Sequence, residues 1–136
     1  MSESQRKHLE FIQNVITRMN ANSFLIKGWT ITLVSALFAL AAKDANINYV
    51  LISYIVFPVF WILDGFYLSQ ERQYRALYDE VRNKKDEDIN FSMNAKKFDN
   101  GNRTWIKGVF SKTLNPFYGV SIATTLIIMF LFSRYG

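Results

Sequence analysis

The chain has no cysteine and a single histidine, His8, among its 136 residues. Without thiols there is no disulfide and no thiolate nucleophile or metal ligand. One imidazole cannot complete a zinc ligand set or a Ser/His/Asp constellation without partners that are missing elsewhere in the chain. Six glycines and two prolines are scattered along it, and none of the glycines forms a phosphate-cradling loop. These absences exclude the common routes to catalysis, so the chain reads as no enzyme, with no metal and no cofactor. What it has in quantity is apolar and aromatic residues, 50% and 16%, beside a net charge of +5. That mixture fits apolar runs alternating with solvated segments. The excess of Lys and Arg crowds the flanks of those runs, where it sets orientation across a bilayer, and is not read as a nucleic-acid surface.

Residues 49–68 (YVLISYIVFPVFWILDGFYL) organise the rest. They carry one formal charge, Asp64, and a run of about 20 such residues crosses a hydrocarbon core of about 30 Å. The next stretch, SQERQYRALYDEVRNKK, contains no Pro or Gly, so the helix is expected to leave the membrane and continue to about residue 85. Its outer half carries Tyr67, Tyr74, Leu77, Tyr78 and Val81 at helical spacing, a stripe that needs a partner. Residues 2–21 supply one. Ser2 and Gln5 have capping-box spacing, and Leu9, Ile12, Ile16 and Met19 recur on one face of an amphipathic helix.

Asn20, Asn22 and Ser23 are N-cap residue types, so an elbow is expected there before the first span, residues 23–42. Gly28, Thr32, Ser35, Ala36 and Ala39 give that span a small-residue face that allows close helix packing in lipid. Residues 43–48 leave room only for a tight hairpin, making the first two spans antiparallel neighbours. Residues 86–112 read as a cytosolic loop and a short interfacial helix around Trp105, Ile106, Val109 and Phe110. Asn115 and Pro116 then open a third span, residues 115–133, with Gly119 and Ala123 as packing positions and Ser121, Thr124 and Thr125 on a polar face. The expected fold is one all-α membrane domain of three transmembrane helices. Its Lys and Arg distribution places the N-terminus in the cytoplasm of a multi-pass protein. No cleavable leader is read in the polar, amphipathic first 22 residues.

Two clusters could carry function. Lys27 and Asp64 are the ionisable groups inside the first two spans, and each lies roughly 23 Å from the shared hairpin at helical rise. Equal depth allows a cross-helix pair, which reads either as a structural ion pair near the headgroups, as a gate, or as snorkelling. Arg72, Arg75, Tyr74 and Tyr78 lie just below the membrane, with Glu71–Arg75 and Glu80–Lys84 in favourable four-residue order. They read as a solvated helix face or as an anion site. The Asn102-Arg103-Thr104 glycosylation pattern falls on a predicted cytoplasmic loop and is read as chance.

The run Asp64-Gly65-Phe66-Tyr67-Leu68, followed by ERQYRALY from Glu71 to Tyr78, resembles the second-helix exit of small bacterial membrane proteins of the SLATT type, effectors of nucleotide-triggered conflict or anti-phage systems. The likeness covers roughly the first 85 residues, and the third span lies outside that two-helix plan. The resemblance implies a homo-oligomer in the bacterial inner membrane that breaches it when triggered, acting as a regulated pore. The alternative is a non-conducting anchor or sensor. The expected partners are the bilayer, further copies of the chain, and a cytosolic protein or nucleotide signal.

Overall fold

Ser2 accepts the Gln5 backbone N–H at 3.0 Å and so satisfies one of the donors that every helix start leaves open. The computed structural model describes residues 2–135. From Ser2 the first helix, α1, runs over Glu3–Asp44, 42 residues, or about 63 Å at helical rise. The elbow expected at Asn20–Ser23 does not form. Ser23 turns its hydroxyl to Asp64 on the next helix, so the side chain that would have capped a new helix is engaged across the hairpin and α1 continues unbroken.

Ala45 ends α1 in the left-handed region (φ 51°), with its N–H bonded to Ala41 O, a C-terminal cap that satisfies an orphan carbonyl. A short turn then starts α2, Asn48–Arg82, 35 residues, with Pro58 inside it. α1 and α2 pack as a long antiparallel hairpin. α2 stops at Arg82 rather than near residue 85, because Gln5 closes its end: Gln5 Nε2 reaches the carbonyls of Val81, Arg82 and Lys84 at 3.0, 2.9 and 3.2 Å. Short 3-10 turns at Asp86–Asp88, Lys96–Phe98 and Gly101–Arg103 lead to a five-residue helix, α3 (Trp105–Val109). The last helix, α4, covers Leu114–Tyr135, 22 residues. Ser111 caps it, accepting Leu114 N–H at 3.1 Å. Asn115, expected in that role, donates its side-chain amide to Phe110 O instead.

The chain is thus all-helical, without a strand among the described residues, and α1, α2 and α4 are each long and apolar enough to cross a membrane. Two cores hold it together. One joins Leu9, Ile12 and Ile16 of α1 to Leu77 and Val81 of α2, with Tyr74, Tyr78, Ile89, Met93 and Phe98 packed around them. The tyrosine stripe therefore finds its partner in the first turns of α1, and these residues form a stalk beyond the apolar run. The other core brings Val34, Phe57, Leu114 and Tyr118 together and ties α4 to the hairpin.

His8 lies in the stalk. It is fully buried, and with Nε2 2.8 Å from Ser92 O that nitrogen carries the proton and donates. Phe91 sits against the imidazole at 5.5 Å and adopts φ 56°. A left-handed backbone costs a non-glycine residue about 1–2 kcal/mol, and here it turns the strap so that Ser92 O and the Phe91 ring both meet His8.

Candidate functional site

Three helices meet at one carboxylate. Asp64, on α2, is fully buried. Lys27 of α1 reaches its Oδ2 at 2.7 Å and keeps 20% of its side chain exposed. Ser23, one turn before Lys27, accepts from the ammonium at 2.8 Å and donates its own hydroxyl to Asp64 Oδ1. Tyr118 of α4 donates to Oδ2 at 3.0 Å. Both carboxylate oxygens are thus engaged by donors from helices other than their own. The four-residue spacing of Ser23 and Lys27 puts both on one face of α1, which is why a helix without an elbow can present them together.

Desolvating a carboxylate costs several kcal/mol, so such a group stays charged in a protein interior only with a full set of donors. This cluster supplies that set and is neutral as a whole. It joins three helices at one level. Among the described residues no group of three or more His, Cys, Asp or Glu side chains could hold a metal ion.

The aromatic surround fixes α4 and α3 on α2. Trp61 stacks on Tyr118 at 5.5 Å with an 8° interplanar angle, and its Nε1 donates to Val109 O at 2.6 Å. Trp105 Nε1 donates to Ile62 O at 2.8 Å. Lys27 Nζ stands 5.9 Å from the Phe117 ring centre, at the outer limit of a cation–π contact.

The backbones of α2 and α3 approach closely. A Cβ on Gly108 would lie 2.5 Å from Gly65 O, and one on Gly65 would lie 2.8 Å from the Val109 backbone. Only glycine fits at either position. The sequence reading placed close packing at Gly28, Thr32, Ala36, Ala39, Gly119 and Ala123, and these six lie exposed on α1 and α4. Nothing approaches a Cβ built on Gly28 or Gly119 within 4 Å. Within one protomer they pack no helix.

Arg72, Arg75, Tyr74 and Tyr78 are not gathered into one anion site. Arg72 Nη1 donates to Asn102 O at 2.6 Å and Tyr74 OH to Met93 O at 2.9 Å, both pinning the loop to α2. Arg75 pairs with Glu71 at 2.8 Å. Tyr78 packs beside the stalk core and shares a shallow groove with Arg75. Side chains at neighbouring helical positions diverge, and each here meets a different segment. Glu80 likewise bonds Lys97 in place of Lys84.

Sequence reasoning paired Lys27 with Asp64 by depth but missed Ser23, Tyr118, Trp61, Gly65 and Gly108. One signal was available: a tyrosine inside an apolar run needs a partner for its hydroxyl, and Asp64 was the acceptor at hand. The chain matches no protein-family profile, no curated protein and no solved structure.

Proposed function

We propose that the protein is a homo-oligomeric, multi-pass effector of the bacterial inner membrane, N-terminus in the cytoplasm, that permeabilises the membrane during anti-phage defence in the manner of the SLATT-type proteins it resembles. The observation that carries the reading is the Asp64 cluster, where side chains from three helices of span length converge on one buried carboxylate. In this reading the cluster is the latch of the closed state. The stalk formed by the α1 and α2 ends receives the signal, and α1 is one rigid piece from stalk to latch. The outward small residues Gly28, Thr32, Ala36 and Ala39 support assembly, because small side chains let helix backbones approach in lipid.

The test is release of a trapped dye from vesicles holding the purified protein. Asp64→Asn, which weakens the latch without changing its size, is expected to leak faster than wild type. A single cysteine at Thr32, in a chain with none of its own, is expected to trap disulfide-linked oligomers. Equal, background-level leakage from both proteins, with only monomer after oxidation, would count against the reading.

A second reading, a non-conducting anchor or sensor, is favoured by one feature of the stalk. A cleft of about 390 Å³ opens between α2 and the loop, lined by Gln70, Gln73, Tyr74, Lys96 and Asp99. It has room for a small polar ligand or a side chain of a cytosolic partner. Retained partner capture by a protein that never leaks would select it.

A further inference from the structure

α4 leans on α2, and a crevice of about 180 Å³ separates it from α1. Thr30, Val34 and Phe38 of α1 face Val120 and Thr124 of α4 across it, with Phe57 of α2 among the lining residues. Three of its five hydroxyls, those of Thr30, Ser121 and Thr125, are spent on their own helices. Thr30 bonds Ile26 O at 2.8 Å, while Ser121 and Thr125 bond the Phe117 and Ser121 carbonyls at 2.7 and 2.9 Å. A wall of mainly apolar side chains, with most of its hydroxyl protons engaged by their own helices, suits hydrocarbon.

The end of the crevice nearer the stalk lies one helical turn from Lys27. An ammonium has three N–H donors, and Lys27 gives one to Ser23 and one to Asp64. The third is left for an acceptor outside the chain, on a side chain that is 20% exposed. Lys107 and Lys112 are exposed on and after α3, just before α4 begins, so the same end of the helices is rich in positive charge.

We infer that the crevice holds one acyl chain of a glycerophospholipid from the cytoplasmic leaflet, with its phosphate at the Lys27 ammonium. A single hydrocarbon chain is much narrower than a helix of about 10 Å diameter, so it can lie between α1 and α4 as they stand, whereas a helix of a second copy would have to part them. Charge selects a phosphate-bearing lipid over a neutral one. The inference rests on the three helices crossing the bilayer and goes beyond the proposed latch by naming what keeps α1 and α4 apart.

The test is photolabelling of the full chain in vesicles with phosphatidylglycerol carrying a diazirine in its acyl chain, followed by mapping of the adducts. Residues 30–38 and 120–125 are expected to be labelled several-fold more than Ile55 and Val59, which are exposed on α2. Thr124→Phe should fill the crevice and abolish the excess while leaving Ile55 and Val59 labelled. A diazirine diacylglycerol, which lacks the phosphate, should label the crevice several-fold less. Uniform labelling would reduce the contact to ordinary surrounding lipid and overturn the inference, as would equal labelling by diacylglycerol. Disulfide-linked dimers from a single cysteine at Thr124 would put a second copy in the crevice and overturn it too. Loss of label at Ile55 and Val59 as well would instead show that the helices are not in the bilayer, which separates failure of the membrane reading from failure of the lipid site.

Discussion

The stalk and the span-length part of the same hairpin are built inside out from one another. In the stalk, Ile12 and Val81 are wholly buried, and the charges of Arg75, Asp79 and Arg82 face outward or pair on the surface. Towards the hairpin turn, Phe24 and Ile55 are 77% and 67% exposed, while the buried positions include Ser23, Thr30, Ser53 and Asp64. Water drives apolar groups together. A hydrocarbon solvent gives no such drive, so helices in it associate through small contacts and polar bonds. The two halves share two helices and differ in what holds them: apolar packing in the stalk, polar bonds across buried positions in the span-length part.

The comparison is broken most directly at Lys27. Lys27→Ala leaves Asp64 buried without its cation and is expected to cost about 3–5 kcal/mol, read as earlier unfolding on SDS titration of mixed micelles. Lys27→Met with Asp64→Leu removes both charges and should recover most of that loss. A double variant as unstable as the single one would mean that Ser23 and Tyr118 carry more of the joint than the ion pair does. In the stalk, Ile12→Ala is expected to cost about 2–5 kcal/mol. Hydrogen exchange should rise at residues 5–16 and 74–98 and stay unchanged at 30–40. An equal rise in both regions would show that the halves unfold together. The smallest effect, about 0.5–1.5 kcal/mol, belongs to Gln5→Ala, which removes the side-chain bonds to the Val81, Arg82 and Lys84 carbonyls at the end of α2. It should appear as faster exchange confined to residues 79–85.

Much of this was legible in the chain. The apolar runs, their lengths and the tight turn between the first two are composition and spacing. The apolar face of residues 9–19 and the stripe from Tyr74 to Val81 predicted each other, since two half-apolar helices joined by a hairpin have no cheaper cover. Helix ends were less legible. Asn20, Asn22 and Ser23 have the right residue types for a cap, but a hydroxyl engages whichever partner is nearest in space, and for Ser23 that is Asp64. The same holds for Asn115 and Ser111. The anion cluster failed because Arg72 and Tyr74 met loop carbonyls, partners separated from them by 30 and 19 residues in sequence.

By itself the sequence determined the helical periods, the three runs of span length and the equal depth of Lys27 and Asp64, all of which depend on counting residues along one axis. Only the tertiary structure decided that Tyr118 completes the carboxylate's shell, that α3 docks where Gly65 and Gly108 leave no room for a side chain, and that α1 stands off from α4. Those outcomes depend on rotation and on the distance between helices. A linear pattern fixes neither, because each is set by the partner that a side chain meets across space.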